Sequence, residues 1–275
     1  MSKIPYMIQK YRFGAKMGNE QLLDSMMYDG LIDPFMNYHM GITAENVADK
    51  FGISREMQDE FAYQSHMKAA RAAQNEFFRN EIVPVEVKQR RGTVMVDSDE
   101  TIRPDISIAA LAKMKPAFKE GGSVTAGNAS GINDGAAAVV IMSREKAAEL
   151  GKKPLVVFRA FAGAGVHPSI MGYAPVPTVN KLLAKAGLRK EEIDLYELNE
   201  AFAAQALACV QELGLDPEKV NVNGGAIALG HAVGCSGARL IVSLMNEMER
   251  RQVRYGVVSL CIGGGQGIAT LVERV

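Results

Sequence analysis

From residue 154 to 275, short β-branched and aromatic runs alternate with stretches of helical spacing. That alternation restricts the chain to a sheet layered with helices. Residues 155–161 follow Gly151 and Pro154 and read as a strand, and residues 178–186 then place Val179, Leu182 and Leu183 on one helical face. A buried strand is predicted over 193–198, a helix over 201–213 closed by Gly214, and a short strand over 220–223. After a glycine-rich turn come a helix over 237–250 and strands over 255–261 and 267–273, on either side of Gly263-Gly264-Gly265. The order βαβαβαββ implies a mostly parallel sheet, with ligand-binding loops at the strand C-termini.

The N-terminal half reads differently. Ser54 is a plausible N-cap for a long helix reaching Phe78, with Phe61, Ala62, His66, Ala69, Ala70 and Ala73 available for one face. Residues 82–87 and 94–96 look like paired short strands. Residues 125–131, Thr-Ala-Gly-Asn-Ala-Ser-Gly, would let another molecule approach the backbone closely. Residues 136–142 read as a single buried strand running into a helix capped by Ser143, yet the preceding chain offers it no flanking strands.

Composition narrows the function. With 275 residues, 48% of them hydrophobic, the chain can bury a substantial core. Lys and Arg total 31, as do Asp and Glu, so no net field draws the chain to nucleic acid or an anionic membrane. The first residues hold Lys3, Lys10 and Arg12 without an apolar run, so no signal peptide is expected, and no apolar run approaches the ~20 residues a membrane helix needs. The expected location is cytoplasmic, or an organelle matrix in a eukaryote. Cys209, Cys235 and Cys261 form no C-x-x-C or Cys/His pattern, which disfavours disulfides and a metal site.

Four segments place polar or titratable side chains beside glycines at strand-to-loop junctions. They are Asn199-Glu200-Ala201-Phe202-Ala203, the stretch from Asn223 through Gly224-Gly225-Ala226-Ile227-Ala228-Leu229-Gly230 to His231, Gly234-Cys235-Ser236-Gly237, and Cys261-Ile262-Gly263-Gly264-Gly265. Histidine with cysteine suits acyl transfer, and histidine or asparagine can donate to a thioester oxygen as charge develops on it. Taken singly, each has a plainer reading: His231 as a satisfied core histidine, Asn199 as a helix cap, Cys235 as a small filler, the glycines as a tight turn. His66 and His167 carry no supporting pattern.

In this order and at these separations, N-E-A-F-A, N-x-x-G-G-A-I-A-L-G-H-x-x-G-x-S-G and C-x-G-G-G-x-G resemble the C-terminal signatures of thiolases. Residues 37–46 and 125–131 look like thiolase sequence too. The resemblance is to the acetyl-CoA acetyltransferase type and runs through the whole chain. It implies an α/β, thiolase-like fold: a mostly parallel five-stranded sheet with helices on both faces over 154–275, a loop-rich α+β domain over 1–132, and a remnant of the N-terminal thiolase half over 133–153. It implies Claisen condensation of two acetyl-CoA to acetoacetyl-CoA and the reverse thiolysis, with CoA as substrate and product and no tightly bound cofactor. His231 would activate a nucleophilic cysteine and help bind a thioester oxygen, and Cys261 would move the α-proton. Asn199 would hold a water completing one oxyanion hole with His231, and the Gly263 amide would serve the other. Leu31, Arg103, Phe118, Ala126, Ser130 and Phe202 would contact CoA, while His39, Met40 and Met171 would line the acyl end. The His-Met pair resembles the short-chain enzymes.

One departure stands out. Thiolases carry a C-x-S-G-type nucleophile in a segment preceding the position of Met1, and none of the three cysteines sits in such a motif. The expectation is a chain starting at an internal methionine of its parent, at the loop that ties thiolase dimers into tetramers. Alone it would not transfer acetyl groups. The alternative is a non-catalytic CoA-binding subunit, or one that complements a separate N-terminal fragment; keeping His231, Cys261, Asn199 and Gly263 together favours the enzyme.

Overall fold

A four-stranded sheet of order β5-β8-β7-β6 organises the C-terminal half of the computed structural model, which describes residues 1–90 and 92–275. Its strands are β5 (Val156–Gly165), β6 (Leu195–Leu198), β7 (Tyr255–Ile262) and β8 (Gln266–Arg274). Alternation along the strands sends neighbouring residues to opposite faces. Val257 of β7 and Leu271 of β8 pack with Val179, Leu182 and Leu183 of α5 (Pro175–Ala186) and with Val210 and Leu213 of α6 (Ala203–Leu213). On the other face, Val258 and Val272 meet Leu240, Leu244 and Met248 of α8 (Ser236–Arg251). Each fully buried side chain of this kind contributes about 1.5–3 kcal/mol. Where α8 crosses β7, Gly256 is required: a Cβ there would lie 2.7 Å from Met248 Sδ and 2.8 Å from Leu244 Cδ2. α5 stops at the left-handed Gly187, at φ 68°, and α6, as the sequence predicts, at Gly214, at φ 58°.

Among the described residues the sheet has four strands, not five, and is not mostly parallel. Only β6 and β7 pair in parallel; β5 with β8 and β7 with β8 are antiparallel. The turn from Gly263 to Gly265 is too short for a crossover, so β7 and β8 must form a hairpin. The expected strand over 220–223 reduces to one bridge from Val220 to Tyr196, because Asn221 turns left-handed at φ 44°. The Asn221 side chain takes over the ladder instead, its Oδ1 accepting from Leu198 N at 2.9 Å and its Nδ2 donating to Leu198 O at 2.8 Å.

The N-terminal half is built on two helices. His39 caps α1 (Met40–Phe51), and Ser54 caps α2 (Arg55–Gln74) by accepting from Met57 N at 3.3 Å. α2 ends before Phe78, where Glu76 takes φ 57°, and its inward stripe uses Ala72 in place of Ala73 beside Ala62, His66 and Ala69. The short strands pair as β3 (Val85–Gln89) and β4 (Gly92–Val96), an antiparallel hairpin that starts after Pro84, a residue without a ladder donor. A second hairpin, β1 (Tyr6–Ile8) with β2 (Leu22–Asp24), opens the chain. Two carboxylates from the helices hold the 122–128 loop. Glu45 accepts from Ser123 N and from Val124 N, at 2.9 Å each, and Asp59 accepts from Asn128 Nδ2 at 2.9 Å and Arg55 Nε at 2.8 Å. Leu111 of α3 (Ile108–Ala112) packs with Ala62 and Ile227.

Residues 136–142 carry no sheet pairing among the described residues. Val140 is 87% exposed, and α4 (Arg144–Glu149) follows under its Ser143 cap as expected. An apolar run becomes a buried strand only where flanking strands satisfy its backbone, and no described strand runs beside this one. Among the described residues no helix is long and apolar enough to cross a membrane.

Apolar surface collects at this run and at β5, where Phe161 is 67% exposed; the 8–22 loop adds Phe13. Contiguous exposed apolar patches drive association. The purified chain is expected to self-associate in light scattering and to bind a hydrophobic dye. A dye-silent monomer at all concentrations would contradict the exposure of these side chains.

Candidate active site

Parallel pairing delivers two of the sequence-predicted residues to one end of the sheet. Leu198 lies beside Ser259, and Asn199 N donates to Ser259 O at 3.0 Å, so Asn199 leaves β6 next to the end of β7 that carries Cys261. His231 arrives from the other side. The single turn α7 (Ala226–Leu229) ends at Gly230, whose φ of 90° swings the chain so that His231 N donates to Asn133 Oδ1 at 3.0 Å. The His231 ring is then held at both nitrogens: Nδ1 is 2.6 Å from Ser236 Oγ, and Nε2 is 3.3 Å from Asn199 Nδ2. Asn199 is buried, and its Oδ1 has no hydrogen-bond partner in the protein. That acceptor has room for a donor such as water.

Gly263 follows Cys261 in the β7–β8 turn. A Cβ at Gly263 would lie 2.8 Å from Met40 Cε, so only glycine lets Met40 close over this backbone. Asp33, fully buried, fixes the approach of the two segments by accepting from Gly264 N at 3.2 Å, Phe35 N at 2.9 Å and Met36 N at 2.8 Å. His39 accepts from Gly41 N at 2.9 Å and stacks on Phe118, with centroids 4.6 Å apart, and Phe118 meets Phe202 edge-on at 6.1 Å. Met40, Met171 and Phe202 share one apolar cluster, against which Phe118 and Cys261 pack. Ser130 joins by donating to Ala201 O from both N and Oγ at 3.0 Å, and Leu31 precedes Ile32, which bridges to His39.

Two named positions sit elsewhere. Arg103 is engaged by α2, its N donating to His66 Nδ1 at 3.2 Å with its guanidinium 3.2 Å from Nε2, and Ala126 is exposed in the 125–128 turn. His66 is structural and His167 caps a turn, its Nδ1 accepting from Ser169 N at 3.3 Å. The sequence reading assigned no role to Asp33, Asn133, Asn221 or Ser236, although Ser236 stood inside a quoted glycine motif.

Burial governs the charges. It pulls the His231 imidazole down to about 4, helped by the nearby Arg239 cation, and pushes the Cys261 thiol up to about 12. Both groups are therefore neutral at pH 7, one able to accept a proton and one to give it. Burial also raises Cys209 and Cys235, and Cys209 Sγ donates to Gly172 O at 3.3 Å inside the core.

Residues 1–145 match the family model described as thiolase, N-terminal domain, and residues 152–274 the one described as thiolase, C-terminal domain. The whole chain is 56% identical to an acetyl-CoA acetyltransferase of Chromobacterium violaceum and 55% to a probable acetyl-CoA acyltransferase of Staphylococcus aureus, covering 70% of each. The crystal structure of the Bacillus anthracis acetyl-CoA acetyltransferase superposes with a TM-score of 0.94 at 47% identity, over 98% of this chain and 68% of that one. Human mitochondrial 3-ketoacyl-CoA thiolase in complex with CoA gives a TM-score of 0.94 at 44% identity, over all of this chain and 68% of its own.

The histidine has a consequence for stability. Its folded-state pKa of about 4 lies below the unfolded 6.5, so its contribution is complete above pH 6.5 and is lost as pH falls toward 4. The full loss is bounded at roughly 3 kcal/mol. Thermal melts from pH 7 to 4 should show a steeper fall in Tm for the wild type than for His231→Gln. Equal slopes would show that the ring is not held neutral.

Proposed function

Because this chain belongs to the thiolase family, we propose that it works as an acetyl-CoA C-acetyltransferase, condensing two acetyl-CoA to acetoacetyl-CoA and catalysing the reverse thiolysis. The observation that carries the reading is the neutral His231 imidazole beside Asn199, at the sheet end that also bears Cys261 and Gly263. In this reading His231 Nε2 takes the proton of the acyl-accepting thiol. The Asn199 amide, through a water, and His231 hold one thioester oxygen; the Gly263 N–H holds the other. Cys261 removes the α-proton of acetyl-CoA, and the enolate attacks the acyl group to form the carbon–carbon bond and expel the first thiol.

CoA is the substrate carrier. Leu31, Arg103, Phe118, Ala126, Ser130 and Phe202 are assigned to it, and His39, Met40 and Met171 to the acyl end, where the stacked rings and buried methionines support a small pocket. The division into 1–132, 133–153 and 154–275, the cytoplasmic location and a homotetramer joined through the β1–β2 hairpin belong to the same proposal.

None of the three thiols suits the acyl acceptor. Cys209 donates into the core, Cys235 precedes α8 outside the paired site, and Cys261 is the base. We assign the acceptor to a cysteine outside these 275 residues; a partner subunit of a split enzyme could equally supply it.

After incubation with acetyl-CoA, mass spectrometry of the chain alone should show no acetylated cysteine. Adding the matching N-terminal segment of a relative should produce acetoacetyl-CoA thiolysis, and Cys261→Ala should lower it by about 10²–10⁴-fold, as for loss of a general base. Acetylation of Cys261 in the isolated chain would make it the nucleophile and overturn the assignment.

A further inference from the structure

We infer that Ser236 is a positioning residue that fixes His231 as its Nδ1–H tautomer, leaving Nε2 as the bare, proton-accepting nitrogen. The inference rests on the reading of His231 as the site's base, and it concerns what makes that base point the right way.

Three observations carry it. Ser236 Oγ is buried and lies 3.1 Å from Ala232 O, to which it donates its single hydroxyl proton. With its proton on Ala232 O the hydroxyl can only accept, and the 2.6 Å contact with His231 Nδ1 is then made by a proton on the ring nitrogen. At the far side of the ring, Asn199 Nδ2 is 3.3 Å from Nε2, and an amide NH₂ has no lone pair to offer an N–H. With the Asn199 amide in this orientation, both contacts suit one tautomer. The opposite one would set a donor against a donor at Asn199.

The fold builds this arrangement locally. Ser236 is the first residue of α8, and Ala232 O lies four residues earlier, so the helix start itself supplies the acceptor that occupies the hydroxyl proton. His231 precedes the same turn, and its backbone is pinned by Asn133 Oδ1, so the ring is aimed by its own chain before any substrate arrives. Arg239, one turn further along α8, adds a cation that disfavours the imidazolium. A base whose second nitrogen is locked in this way has one basic site and one orientation, which is what proton transfer to a defined atom needs.

Long-range proton–nitrogen NMR on the full chain, labelled with ¹⁵N-histidine, reads the tautomer directly, because protonated and bare ring nitrogens resonate far apart. His231 is assigned by loss of its signal in His231→Gln. Wild type should show a protonated Nδ1 and a bare Nε2. Ser236→Ala should move the ratio toward Nε2–H by about five- to tenfold, the worth of one lost hydrogen bond, while Ser236→Thr should keep the wild-type pattern. An Nε2–H ring in the wild type, or an unchanged ratio in Ser236→Ala, would overturn the proposal; the wild-type spectrum alone decides if the alanine variant does not fold. The readout requires no turnover. A wrong tautomer would therefore leave the thiolase assignment standing, and absent thiolysis would leave the tautomer measurement intact.

Discussion

The Glu200 carboxylate is the junction on which the site depends. It is buried, and it accepts from Ser65 Oγ at 2.6 Å, Asn221 Nδ2 at 2.8 Å and Ile227 N at 3.2 Å. Those donors belong to α2, to the end of the loop that completes β6, and to α7. One side chain thereby ties the N-terminal helices to the sheet and to the segment leading into His231. Burial alone raises its pKa, and the three hydrogen bonds and the charge of Lys68 pull the other way. Each donor left without it would cost about 1–3 kcal/mol. The glycines around it follow from the same crowding: a Cβ at Gly224 would meet Ala69 Cβ at 2.7 Å, and one at Gly225 would collide with the Glu200 carboxyl itself.

Around that junction, apolar packing decides direction and electrostatics decides state. The sheet is clasped between α5 and α6 on one face and α8 on the other, so the ends of β6 and β7 cannot shift relative to α8 without opening two cores. This matters because the residues of the site are drawn from different elements: Asn199 after β6, Cys261 on β7, Ser236 on α8, and Met40 on α1. The same packing dries the site. It leaves Cys261 against Met40, Met171 and Phe202 and drives the thiol up, while the His231 imidazole is lowered by its own burial and then by Arg239.

Much of this was legible in the sequence, and the rest was not for definite reasons. The glycine-flanked motifs singled out His231, Asn199, Cys261 and Gly263, which the fold gathers at one end of the sheet, where glycine lets backbones approach closely. Helix ends were readable from Ser54, Ser143 and Gly214, whose capping chemistry is local. Strand direction was misread because alternation of strands and helices says nothing about β5 pairing antiparallel with β8 across more than a hundred residues of chain. The run over 136–142 was called buried from hydrophobicity alone, yet burial needs neighbours that composition does not supply. Ser236 and Asn133 were visible as residue types only. Their roles depend on which way a ring and a hydroxyl point.

The resting charges bear on how the proposed division of labour avoids confusion between two sulfur chemistries. With its pKa pushed up to about 12, Cys261 is thiolate in only about one molecule in 10⁵ at pH 7, so it offers almost no nucleophile to a passing thioester. The same elevation makes its thiolate, once formed, a strong base toward a weakly acidic α-proton. The proton therefore has to leave Cys261 within the assembled site, where the CoA thiolate expelled on acyl transfer can take it, and not by spontaneous ionisation. His231 completes the separation. Held neutral, it can accept a thiol proton from an acyl-accepting cysteine at Nε2, whereas an imidazolium would have nothing to accept with. In the proposed reaction, the apolar cluster of two methionines and a phenylalanine against Cys261 thus keeps that sulfur a neutral thiol and leaves attack on carbon to another one.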